Sequence, residues 1–104
     1  MRTKQVKLED KIITVKELTV SDIDGVLKEI ESKENTKPET FDLLVEDMPL
    51  QFFEASTSLD KSELETLSQS DIMTLKEAIE SLNPLLKKML NRLIEIQQKM
   101  LENT

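Results

Sequence analysis

Side chains able to do chemistry are scarce in this chain. There is no His, Cys, Trp or Tyr, so the imidazole base, the thiolate nucleophile and the soft-metal ligands are missing. The remaining candidates are two hydroxyl clusters, Ser56-Thr57-Ser58 and Ser68-Gln69-Ser70, and a carboxylate pair in Asp22-Ile23-Asp24-Gly25. A hydroxyl needs an adjacent base to act as a nucleophile, and neither cluster has one beside it in sequence, so both read as turn and cap residues. The Asp22 phrase opens like a calcium loop but lacks the third ligand and the closing glutamate at the required spacing. The expectation is a non-enzymatic protein with no catalytic residue, no cofactor and no metal.

What the sequence does carry is adhesive surface. Nine apolar residues alternate at spacings of three and four along the last third: Ile72, Leu75, Ile79, Leu82, Leu86, Met89, Leu93, Ile96 and Met100. That periodicity is a helical seam made to lie against something. Asn83-Pro84 crosses it. Inside a helix, Pro84 would cost roughly 3 kcal/mol, whereas at a first helical position it costs almost nothing. Asn83 suits the N-cap, so two helices are expected to share one stripe, over about 69 to 82 and 84 to 102, with a joint at Asn83 and Pro84. The candidate partner-binding residues are Leu82, Leu86, Met89, Leu93, Ile96 and Met100. The methionines other than Met1 sit at or beside apolar stripes, which fits either core packing or an adaptable binding surface.

The elements that must position this seam start from a single domain of 104 residues, enough to bury about two thirds of its surface. The fold class expected is mainly α with a small N-terminal β-hairpin (α+β): hairpin over 1 to 18, then a compact helical bundle of four to six helices over 19 to 104. With Asp10-Lys11 as a two-residue turn, Leu8 falls opposite Ile13, Val6 opposite Val15 and Lys4 opposite Glu17. A lone hairpin is marginal in water, so its apolar face must rest on the helices or its edge must add to another sheet.

Helix starts are written three times, as LTVSDI from Leu18, LDKSEL from Leu59 and LSQSDI from Leu67. In each, a polar second residue (Thr19, Asp60, Ser68) can cap while an acid three positions on (Asp22, Glu63, Asp71) bonds back, and flanking apolar pairs staple the entry. After Thr19, the face Ile23, Val26, Leu27 and Ile30 runs to about Ser32, and residues 33 to 37 read as a loop. Thr36 with Glu39 and Pro38 open a helix faced by Phe41, Leu44, Val45 and Met48 and stopped by Pro49. Leu50 to Ala55 fits helix or strand; helix is the reading taken, with Phe52 and Phe53 in the core. A short helix from Asp60 to Leu67 leads into the seam.

Charge is uneven. The net charge is −7, and residues 21 to 66 hold thirteen acidic groups against four basic. Such a surface repels a polyanion, so no nucleic acid is expected as a direct partner. No apolar run approaches a membrane span, and MRTKQVKL lacks an apolar core of signal-peptide length, so the chain reads as soluble, intracellular and free of membrane.

Two phrases, VKELTVSDIDGVL behind a short hairpin and LETLSQSDIMTLKEAIESLNPLL, resemble the tail assembly chaperones of long-tailed bacteriophages and prophages. In that family a leucine-rich "L..LS..D...L..AI...NP" segment follows a variable acidic middle. The likeness covers residues 5 to 27 and 59 to 86, and departs from the family where Leu85 and Leu86 stand in place of the aromatics that commonly follow Asn-Pro. The resemblance implies a chaperone of the host bacterial cytoplasm that binds the tape measure protein, and tail tube protein as a second partner, during tail assembly.

Two other classes stay open on the same residues. Residues 72 to 100 suit pairing with a second copy, which would make the chain a self-associating helical module (a homo-oligomer). An acidic DNA-mimic inhibitor would need a spaced row of acids such as Asp42, Glu46 and Asp47, but Lys28, Lys33, Lys37 and Lys61 interrupt that field.

Overall fold

A computed structural model describes residues 2–32, 40–45 and 47–102, with the side chains of Ile94 and 97–102 outside the description. In chain order the elements are strands β1 (Thr3–Lys7) and β2 (Ile12–Lys16), then helices α1 (Val20–Ser32), α2 (Thr40–Leu44), α3 (Leu50–Ser56), α4 (Lys61–Glu65), α5 (Gln69–Leu82) and α6 (Leu86–Glu102). The protein is mainly helical with a two-stranded antiparallel hairpin at its start.

Alternation in the hairpin sends Val6, Leu8, Ile13 and Val15 to one face, and all four are buried. The register differs from the expectation by two residues: Val6 pairs with Ile13, Lys4 with Val15 and Thr3 with Lys16. The turn is therefore Glu9-Asp10, where the Leu8 N–H donates to the Lys11 carbonyl at 2.8 Å, and Glu17 meets Arg2 at 3.6 Å instead of Lys4. A slip of one residue would turn the apolar set to solvent, but a slip of two keeps it on the same face. Periodicity is blind to that choice, and contacts outside the hairpin make it.

Those contacts run along α5. At the turn, the Glu9 N–H donates to Asp71 Oδ1 at 3.4 Å. At the open end, Arg2 donates to the Leu82 carbonyl at 3.2 Å and the Leu18 N–H donates to Asn83 Oδ1 at 2.7 Å. A five-residue strand spans ~17 Å and a fourteen-residue helix ~21 Å, so the hairpin fits lengthwise with a tie at each end. Between those ties the packing is apolar: Leu75 and Ile79 of α5 and Val15 of β2 are fully buried.

The capping phrases behave individually. Thr19 and Asp22 bond reciprocally at 3.1 and 3.0 Å, and Asp60 and Glu63 do the same at 2.9 and 3.3 Å. The third box is half made. Ser68 Oγ accepts from the Asp71 N–H at 3.2 Å, but the Asp71 carboxylate is turned to Glu9. A long-range tie has replaced a local one.

Leu50–Ser56 is a helix, with Phe52 and Phe53 fully buried and Phe53 meeting Phe41 edge-to-face at a centroid distance of 5.0 Å. The expected helix running to Met48 is cut short: α2 ends at Leu44, which is 64% exposed instead of in the core. Met48 is buried and Pro49 sits at the N-cap of α3. The proposed start at Thr36, Pro38 and Glu39 lies outside the described residues. Lys76 closes this side, with Asp47 at 3.1 Å and Glu80 at 2.9 Å; hydrogen bonding to Glu80 first, then to Asp47, raises its pKa.

Candidate partner-binding surface

The two-helix reading of the seam holds, and the joint falls where the proline stands. The Asn83 N–H donates to the Ile79 carbonyl at 2.9 Å and ends α5, and the Leu86 N–H donates to the Asn83 carbonyl at 3.0 Å as α6 begins. Pro84 and Leu85 form the turn between them, so α6 starts two residues later than Pro84. Asn83 is a different device from the N-cap expected of it. Its buried side chain accepts from Leu18 through Oδ1 and donates through Nδ2 to the Ile79 carbonyl at 2.8 Å. One acceptor and one donor are both used, which an amide supplies and a carboxylate does not.

The stripe itself divides. Ile72, Leu75, Ile79 and Leu82 are buried, and so is Leu86 at 1% exposure. Leu82 and Leu86 are thus core of this fold and not free surface, because the hairpin and the corner of the joint cover them. Met89 and Leu90 are half-buried against the core. Beyond them Leu93 is 38% exposed and Ile96 48% exposed, while the side chain of Met100 lies outside the described set. The molecule measures 49 × 29 × 21 Å. A seventeen-residue helix is ~26 Å long, and the apolar stripe of α6 is exposed at Leu93 and Ile96.

Lys87, Lys88 and Arg92 are exposed beside this stripe. Lys87 reaches Glu80 at 3.8 Å; Lys88 and Arg92 have no ion-pair partner among the described residues. Positive groups in the first turn of a helix oppose its dipole, so local helix stability does not account for Lys87 and Lys88.

A second apolar surface was not marked by the seam. Phe41, Leu44, Val45, Leu64, Leu67, Ile72 and Met73 line a groove of about 220 Å³ between α2, α4 and the start of α5, with Glu65 on its wall. Leu44 and Met73, at 64% and 62% exposure, form its rim. The sequence signal for it is Met73, an apolar residue beside Ile72 and off the α5 stripe, which meets Leu44 of the expected Phe41 face.

Most of the sequence's other candidates are absorbed locally, while the buried Ser56 Oγ has no hydrogen-bond partner among the described residues. Asp22 caps α1 and Asp24 pairs with Lys28 at 3.1 Å. Thr57 Oγ1 donates to the Phe53 carbonyl at 2.7 Å and accepts from Leu59 at 3.2 Å. Bonding to the Thr19 backbone, then to its hydroxyl, lowers the Asp22 pKa, and the Glu63 backbone followed by the Ser62 hydroxyl lowers that of Asp60. Among the described residues no three acidic side chains converge as a metal site would require, and no helix is long and apolar enough to cross a membrane. No family model, curated protein or solved structure matches this chain.

Proposed function

We propose that this protein is a non-enzymatic phage tail assembly chaperone that holds the tape measure protein, and tail tube subunits as a second client, in the host cytoplasm until assembly. The observation that carries the reading is the uncovered end of the α6 stripe at Leu93 and Ile96. An apolar helix face outside the core is a natural seat for a client helix, packed side by side with anchors at three- and four-residue spacing. Release is part of the task. Shallow contacts on a protruding helix let go more readily than a deep pocket does, and the acidic body keeps the loaded complex dispersed.

The burial pattern decides which residues test this. Co-expression with a phage tape measure protein, followed by pull-down, should recover the client with the native chain. Leu93→Asp with Ile96→Asp should lose it while leaving the circular dichroism spectrum intact. Undiminished recovery with that folded variant overturns α6 as the client face.

A further inference from the structure

The exposed end of α6 and the groove lined by α2, α4 and α5 are complementary in three respects. Both are apolar at the centre. Their margins differ in sign: Lys88 and Arg92 are unpaired beside the α6 stripe among the described residues, whereas Glu65, 51% exposed and 3.9 Å from Lys61, lines the groove and Asp42 is exposed elsewhere on α2. The one lysine near the groove on α5, Lys76, is already held by Asp47 and Glu80. Their sizes match as well: about 220 Å³ falls below the ~300–1,000 Å³ of small-molecule pockets and suits a few side chains of an inserted helix.

We propose that the α6 stripe of one copy seats in the groove of a second copy of this chain. The groove lies at the N-terminal end of α5, at Gln69, Ile72 and Met73, and α6 leaves from the other end, past Leu82. In this structure no α6 residue lines the groove and the stripe is exposed at Leu93 and Ile96, so the occupant proposed is α6 of another molecule. Parallel pairing of α6 with α6 would set Lys88 and Arg92 against their own copies, whereas the groove offers them the Glu65 carboxylate. Lys88, placed against the helix dipole at the α6 start, finds its use here. This is independent of the client reading: it states what covers the stripe when no client is bound.

Size exclusion with light scattering on the full chain tests it by complementation. The native protein should rise with concentration above its monomer mass of 12.0 kDa. Leu44→Asp with Met73→Asp should spoil the groove, and Leu93→Asp with Ile96→Asp should spoil the stripe. All four residues are exposed, so both variants should fold, stay monomeric alone, and form a heterodimer when mixed, since one retains the groove and the other the stripe. Lys88→Gln with Arg92→Gln gives a second, fold-neutral route: association should weaken roughly tenfold and lose most of its salt sensitivity. A native chain that stays monomeric at every concentration overturns the proposal. So does a groove variant that still dimerises, which would mean α6 pairs with α6, or a mixture of folded variants that does not associate.

Discussion

At the scale of single residues, Asn83 shows how a local rule and a tertiary demand divide one position. Before a proline it reads as a helix cap, but its amide ties the exit of the hairpin to the end of α5. Asn83→Ala should leave the buried Leu18 N–H without a partner and cost about 1–3 kcal/mol in urea unfolding. Asn83→Asp should cost more, because it keeps the acceptor, loses the donor and buries a charge. A fold indifferent to both changes would remove the tie from the account. Gly25 points the other way. It lies within α1 with no positive φ, and a Cβ there meets nothing within 4 Å. Gly25→Ala should raise stability by about 0.5–1 kcal/mol, read from the thermal midpoint. Asp22 and Asp60 contribute to the acid side of the stability profile. Their folded pKa values are depressed by cap hydrogen bonds, so their contribution is present above the ordinary aspartate pKa and is lost as pH falls through the lowered values. Carboxyl NMR titration should find both below the ordinary aspartate range.

At the scale of elements, local signals were the readable ones. Capping boxes located the starts of α1, α4 and α5, and the three-and-four spacing gave α5 and α6 on either side of Pro84. What escaped the sequence was set by contacts between elements. Hairpin register escaped because a two-residue slip preserves the buried face, and the choice rests on Asp71, sixty-two positions from Glu9. Leu44 escaped because apolar spacing cannot reveal that α2 ends before its face is complete. The continuous stripe concealed its division for the same reason, since periodicity marks a face without saying how far a neighbour covers it. The division predicts opposite outcomes for two similar changes. Leu86→Asp should unfold the domain, because removing a buried leucine alone costs roughly 2–5 kcal/mol before the carboxylate is desolvated. Leu93→Asp should leave the melting curve nearly unchanged. Equal destabilisation by both would place Leu93 in the core as well.

At the scale of the whole molecule, charge and apolar surface are sorted onto different parts. Residues 21 to 66 hold thirteen acids against four bases, while α6 holds four bases against two acids over 86 to 102. The hairpin, α3 and α5 share the core, and α6 offers the remainder of a stripe that the core does not use. An acidic body beside a helix with an exposed apolar stripe at Leu93 and Ile96 fits the proposed role of holding another protein. It follows that partner binding should quieten α6 and leave the body as it was. Hydrogen exchange by mass spectrometry, with and without the long helical client, tests this most directly. The account predicts slowed exchange across residues 89 to 96 on binding, with α5 unchanged; client binding that leaves those amides exchanging as before, with protection confined to the hairpin or the acidic helices, would contradict it.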